Sequence, residues 1–177
     1  KLKMKSYVKL KIIQVLILIG FFGCSEKEKV VSANEDTGPI SITTTNVNVA
    51  DFYFDLNNNS EAGETESWHV AVKTEGDYNM PSIFFHEEMK IAVYEDLVFE
   101  ELSTIPETFN SDIQMDHATF RYEGSNEILS YNIEVHKVGV TNPNCVYVMK
   151  DEQSDKSYKI QFIEYISGVT VFQYDEL

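Results

Sequence analysis

The stretch that decides the fold is SYKIQFIEYISGVTVFQYDEL, Ser157 to Leu177. Two runs rich in aromatic and β-branched residues flank the pair Ser167-Gly168, which is a typical signal for a hairpin turn. The pattern therefore predicts two antiparallel strands, Ser157–Tyr165 and Gly168–Leu177, that are joined at this pair.

Segments with the same period of two extend this pattern toward the N-terminus. They are ISITTTNVNV (Ile40–Val49), DFYFDL (Asp51–Leu56), SWHVAVK (Ser67–Lys73), EILSYNIEVHKV (Glu127–Val138) and CVYVMK (Cys145–Lys150). Alternation within a strand predicts that Trp68 and Val70 share one face and that His69 lies on the other. The segment His86–Ile105 is ambiguous, because it combines helical spacing with β-branched and aromatic residues. The sequence predicts an all-β domain of mainly antiparallel strands with few short helices.

The N-terminal residues have the form of a secretion signal. Five lysines and no acidic residue precede an apolar run, Ile12 to Phe22, which only Gln14 interrupts. This run is too short to span a bilayer, which needs about 20 residues, so we predict a signal peptide over residues 1–23. Gly23-Cys24 at its end resembles the lipobox of bacterial lipoproteins, which makes Cys24 the candidate for lipidation. A plain signal peptide with an incidental cysteine is the alternative.

A linker and one domain are expected after the signal peptide. Residues 24–39 are polar and charged and end in Gly38-Pro39, which predicts a flexible linker. Residues 40–177 are then a single β domain, and their length is sufficient for a hydrophobic core.

Charge and cysteine content limit the classes of ligand. The signal peptide holds five of the 14 basic residues and none of the 29 acidic ones, so the remainder carries 9 against 29, a formal charge of −20. Such a field repels nucleic acid and anionic lipid and suits cations or a buried apolar ligand.

If Cys24 is lipidated, Cys145 has no partner for an internal disulfide, and its apolar surroundings predict a small buried side chain.

One acidic segment resembles a calcium loop. DLNNNSEAGETE places Asp55, Asn57, Asn59 and Glu66 at positions 1, 3, 5 and 12 of an EF-hand-like loop. Position 6 is Ser60 instead of glycine, and the flanking segments read as strands instead of helices. A solvated acidic loop between two strands is therefore the simpler interpretation, and calcium binding stays open.

Enzyme signatures are absent from the sequence. HEEMK at His86 lacks the second histidine of HExxH, and there is neither a G-x-S-x-G motif nor a glycine-rich phosphate loop. We therefore expect a protein that is not an enzyme. The histidines and methionines remain as candidate ligands, because both residue types are axial ligands of haem iron.

The C-terminal region resembles the HmuY-like lipoproteins of Bacteroidetes. The similarity rests on CVYVMKDEQSDKSYKIQFIEYISGVTVFQY, Cys145 to Tyr174, in which the matching residues are Lys159, Gln161, Phe162, Tyr165, Gly168, Phe172 and Tyr174. DFYFDL, SWHVAVK and YNIEVHKVGVTNPN are similar to upstream strands of that family, so the resemblance spans most of residues 50–177. His69 is a departure, since an aspartate usually follows the tryptophan.

This resemblance implies an all-β, HmuY-like fold and a role in iron acquisition. Such lipoproteins sit in the outer membrane, exposed at the cell surface, capture haem from host haemoproteins and pass it to a TonB-dependent receptor. The resemblance assigns one iron ligand to His136, five residues after Tyr131, and the other to Met115 or His117. Lys137 or Arg121 would offset the charge of the haem propionates. The alternative is a surface lipoprotein of the same fold that binds another ligand or a protein partner without haem.

Overall fold

The described part of the protein consists mainly of antiparallel β-strands. The computed structural model describes residues 38–76, 78–109 and 128–177. Within these ranges the chain forms strands and a short 3₁₀ turn, which confirms the predicted all-β class, whereas the HmuY-like fold remains a prediction. No helix in these ranges is long and apolar enough to cross a membrane.

Several predictions fall on other parts of the chain. The signal peptide over residues 1–23, the lipidation site Cys24 and the linker up to residue 37 lie outside the described residues. The candidate ligands Met115 and His117, together with Arg121, lie outside them as well.

Eleven strands are present in the described ranges. In chain order they are β1 (Ile40–Thr43), β2 (Phe52–Asp55), β3 (Ser60–Ala62), β4 (Val70–Glu75), β5 (Met80–Phe85), β6 (Met89–Tyr94), β7 (Leu129–Asn132), β8 (Lys137–Val140), β9 (Val146–Asp151), β10 (Lys156–Ile166) and β11 (Val169–Glu176). Sheet A has the order β1-β11-β10-β9-β6, sheet B has the order β3-β2-β4-β5, and β7 pairs with β8 as a separate hairpin.

The hairpin predicted from the C-terminal sequence is confirmed. Ile166 at the end of β10 pairs with Val169 at the start of β11 across Ser167-Gly168. Gly168 has a φ of 94°, and a Cβ atom on it would lie 2.1 Å from Oδ1 of Asn46. The position therefore requires glycine for both its backbone conformation and its close contact with the loop before β2.

Aromatic side chains from both sheets form the main core. The Phe54 ring on β2 lies 5.8 Å from the Phe172 ring and 6.0 Å from the Tyr174 ring on β11, both in edge-to-face geometry. Such pairs add a favourable quadrupole interaction to the burial of apolar area. Cys145 is buried in this core, as predicted, and burial raises the pKa of its thiol.

A second apolar cluster covers the other face of sheet A. Phe99 and Leu102, in and after a 3₁₀ turn at Phe99–Glu101, pack there against Val146 and Val148 of β9. The buried Lys159 side chain donates hydrogen bonds from Nζ to the carbonyl oxygens of Phe99 (3.1 Å) and Leu102 (2.9 Å). A lysine on the central strand thus anchors this segment to the sheet.

Two predicted strands differ from the observed ones. The strand expected over Ile40–Val49 ends at Thr43, because the following loop turns toward β11, where the Val47 amide bonds to the Gly168 carbonyl. The single strand expected over Glu127–Val138 is wrong, because the chain reverses within it and forms β7 and β8. The ambiguous segment His86–Ile105 contains β6 and the 3₁₀ turn.

Candidate functional site

The β7–β8 hairpin carries the described member of the predicted ligand set, His136. Its turn consists of residues 133–136, between the paired residues Asn132 and Lys137. The Oδ1 atom of Asn132 accepts the backbone N–H groups of Glu134 (2.9 Å) and Val135 (3.3 Å). Asparagine stabilises turns in this way, because its side chain substitutes for a backbone acceptor. This local bond explains why the alternating segment reverses direction.

His136 closes the turn in a left-handed backbone conformation with a φ of 51°. Four other hairpin turns contain a non-glycine residue with positive φ, and these residues are Asn59, Asn79, Asp155 and Ser167. Histidine, asparagine and aspartate are the non-glycine residues that adopt this conformation most readily, so His136 suits the turn as Asn59, Asn79 and Asp155 suit theirs.

The ring of His136 is held by one hydrogen bond. Nδ1 of His136 lies 2.6 Å from the hydroxyl oxygen of Tyr131 on β7. His136 is exposed, and Tyr131 is 37% exposed. Among the described residues, no bond to the second ring nitrogen, Nε2, accompanies this contact. With Nδ1 in contact with Tyr131, Nε2 is the second ring nitrogen and the one through which a metal could be ligated.

Exposed apolar side chains surround this histidine in the turn. Ile133 is 73% exposed and Val135 is 58% exposed. Aliphatic side chains of this size are usually buried, so two of them in one four-residue turn form an apolar surface that solvent contacts directly. The turn thus combines an exposed imidazole with apolar surface, and Lys137 follows immediately as a cation.

A second group of polar residues lies buried between the two sheets and centres on His69. Nδ1 of His69 lies 3.3 Å from Oδ1 of Asp55, and its Nε2 lies 3.4 Å from Oδ2 of Asp151. All three side chains are less than a tenth exposed. The Leu56 amide lies 3.3 Å from Nδ1, and the side-chain nitrogen of Asn57 lies 3.2 Å from Nε2. We name this group the Asp55–His69–Asp151 cluster.

Asn57 and Tyr158 complete the hydrogen bonding of this cluster. Nδ2 of Asn57 donates to Asp151 Oδ2 at 3.2 Å, and Oδ1 of Asn57 accepts the hydroxyl of Tyr158. Burial alone would raise the pKa of Asp151, but hydrogen bonds from Ser154, the Gln153 amide and Asn57 outweigh it and lower the pKa to about 2. Because these buried side chains contact one another between the two sheets, the cluster acts as a structural joint between sheets A and B.

The position of His69 corrects one prediction from strand alternation. Trp68 packs with Tyr53 and Ala71 on the outer face of sheet B, whereas Val70 belongs to the main core. The prediction that Trp68 and Val70 share a face is wrong. The alternation is interrupted before β4 begins at Val70, and His69 turns inward toward Asp151.

The calcium-loop residues do not converge on one point. Asp55 Oδ1 accepts the amide of Asn57, and Glu66 accepts the amide of Gly63 at 2.7 Å. The Tyr174 hydroxyl donates to Oδ1 of Asn59 at 2.9 Å. In the part of the chain that the structure describes, no group of three or more His, Cys, Asp or Glu residues could hold a metal ion. The geometry gives the calcium interpretation no support.

The buried polar contacts of His69, Asp151 and Lys159 were not predicted from the sequence. His69 and Asp151 are 82 positions apart and meet only because the two sheets pack together, and Lys159 lies within a run that reads as an ordinary strand. The one available signal for His69 was its place after Trp68, where the family that the chain resembles usually has an aspartate. No protein-family model, curated protein or solved structure matches this chain.

Proposed function

We propose that the protein is a haem-binding lipoprotein that uses the β7–β8 hairpin as part of its haem site. It captures haem from host haemoproteins and passes it to a TonB-dependent receptor of the outer membrane. Lipid on Cys24 holds it in the outer membrane, exposed at the cell surface. In this role it binds and transfers haem without catalysing a reaction on it.

One observation carries the proposal. His136 combines an exposed ring, a hydrogen bond at Nδ1 and exposed apolar neighbours within one four-residue turn. Histidine is a common axial ligand of haem iron, and it ligates through one nitrogen while the other is hydrogen-bonded. The same turn therefore supplies a ligand atom and a surface for contact with a porphyrin.

The residues around His136 also fit the other parts of haem. Ile133 and Val135 can pack against the flat apolar ring, and Lys137 can pair with a propionate carboxylate. This local cation is needed, because the mature chain carries a formal charge of −20 that disfavours an anionic ligand. The second axial ligand in this proposal is His117 or Met115.

A titration of ferric haem into the purified protein tests the proposal. Absorbance spectra are recorded in the ferric state and again after reduction, with a β-sheet protein of similar acidity as the control. The proposal expects a saturable one-to-one shift of the Soret band with the features of six-coordinate iron. A spectrum identical to that with the control protein would reject haem capture.

A surface lipoprotein that binds a protein partner or another ligand without haem is the second candidate. The observation that favours it is the exposure of Ile133 and Val135, since exposed apolar patches often mark protein interfaces. This candidate predicts no Soret shift. It also predicts that replacement of both residues by serine abolishes partner binding, whereas His136→Asn leaves it intact.

A further inference from the structure

The hydroxyl group of Tyr131 contacts the proposed ligand His136, and it can either donate or accept the hydrogen bond. The Tyr131 and His136 rings are tilted by 45° with centroids 6.1 Å apart, so they meet through the 2.6 Å contact between Oη and Nδ1 and not by stacking. A neutral imidazole has one N–H, and a phenol oxygen can either donate or accept. The direction of this bond determines which ring nitrogen keeps a free lone pair.

Iron ligation by Nε2 requires one of the two directions. A nitrogen that binds iron offers its lone pair, so in the neutral ring the proton must reside on Nδ1. Nδ1–H then donates, and the Tyr131 oxygen accepts. Metal-binding histidines generally donate the opposite N–H to a fixed acceptor, which sets the tautomer and makes the ligand nitrogen more basic.

The turn that carries His136 is itself held by hydrogen bonds. His136 has a φ of 51°, and the turn before it is held by the Asn132 side chain. Tyr131 is opposite Val138 in the β7–β8 register. This pair is one residue farther from the turn than the pair Asn132 and Lys137. The hydrogen bond with Tyr131 therefore acts on an imidazole whose backbone position is set by the turn.

We propose that Tyr131 is a positioning residue that holds His136 in the Nδ1–H tautomer and thereby presents Nε2 to haem iron. This inference rests on the proposed function, because it assigns a role to Tyr131 within that haem site. It adds a residue that acts through His136 and does not itself contact the iron.

Nitrogen NMR of the haem-free protein tests the tautomer directly. With ¹⁵N-labelled histidine at pH 8, the two ring nitrogens of His136 have distinct shifts that identify the protonated one. We expect the Nδ1–H form in the native protein and a shift toward the Nε2–H form in Tyr131→Phe. Tyr94→Phe, which removes a hydroxyl from β6, leaves the His136 signals unchanged. A native protein with its proton on Nε2 would overturn the inference.

Haem titration of the same variants supplies the second readout. Because loss of a partner to a metal-binding histidine lowers affinity by about 10- to 100-fold, Tyr131→Phe should weaken haem binding to this extent and retain the native coordination spectrum. Native affinity in Tyr131→Phe would overturn the inference and leave haem capture standing. A changed coordination spectrum in Tyr131→Phe would overturn it too, since Tyr131 would then be a ligand. Absence of any haem binding by the native protein would reject both proposals.

Discussion

Nε2 of His69, in the loop before β4, lies 3.4 Å from Oδ2 of Asp151 at the end of β9. This contact joins sheet B to sheet A at a point where both side chains are excluded from solvent. Buried polar groups are destabilising unless their hydrogen bonds are satisfied, so the pair depends on Asp55, Asn57 and Tyr158 around it. We therefore expect the joint to contribute to the alignment of the two sheets as well as to the strength of their association.

Removal of the imidazole should destabilise the fold substantially. His69→Ala leaves Asp55 and Asp151 buried without their shared partner, and the loss of one member of a buried charged network costs about 3 kcal/mol or more. We expect urea denaturation to show a free energy of unfolding that is lower by about this amount. The matched control is His86→Ala, since His86 is partly exposed and contacts Trp68 and Glu88 at the surface. Equal stability of the two variants would contradict the structural role of His69.

Asp151 should make the protein sensitive to acid. Its pKa falls from 3.8 to about 2 in the folded protein, so the ionised form is favoured by folding. The resulting stabilisation is present above pH 3.8 and is lost as the pH falls through about 2. This contribution of Asp151 to the free energy of unfolding is on the order of 2 kcal/mol.

The corresponding measurement is urea denaturation at a series of pH values from 6 down to about 2. Asp151→Asn should be less stable than the native protein at pH 6, and the difference should shrink as the pH falls. Glu152→Gln, which changes an adjacent exposed carboxylate, provides the control and should follow the native curve. A constant difference between Asp151→Asn and the native protein would refute the assignment.

Lys159 should hold the segment around the 3₁₀ turn against sheet A. Lys159→Met removes the donor for two carbonyl oxygens, those of Phe99 and Leu102, and unsatisfied buried acceptors cost about 1–3 kcal/mol. We expect lower stability and faster hydrogen exchange of the amides in residues 97–102. Lys156→Met removes an exposed ion pair with Glu176 and should change stability by less than about 1 kcal/mol. Unchanged exchange in Lys159→Met would disprove the anchoring role.

Local patterns in the sequence predicted the strands well where typical turn residues separate them. The β10–β11 hairpin followed from Ser167-Gly168, because this pair combines turn chemistry with a glycine at the position of positive φ. The β7–β8 hairpin was missed, since Tyr131, Ile133 and Val135 continue the alternation across the turn. The reversal depends on one side-chain acceptor, Asn132, and on a positive φ at His136, where the sequence has no glycine to mark the turn.

The polar sites were less predictable because they depend on long-range packing. The contact between His69 and Asp151 arises when two sheets meet, and no local pattern in the sequence encodes that alignment. His136 was identified through a resemblance instead, and its placement beside Tyr131 in an exposed apolar turn gives that assignment a geometric basis. A residue within a single turn can thus be proposed as a ligand from sequence, whereas a contact shared between sheets cannot be anticipated in this way.

The most direct test of the account compares haem binding by His136→Asn, His86→Gln and the native protein. Asparagine suits the left-handed turn, as at Asn59 and Asn79, so His136→Asn removes the imidazole without straining the hairpin. Because His136 is the proposed iron ligand, the account predicts that His136→Asn loses the native coordination spectrum and binds haem at least about 100-fold more weakly. His86→Gln should bind as the native protein does. Native spectra and affinity in His136→Asn would contradict the central claim that this hairpin binds haem iron.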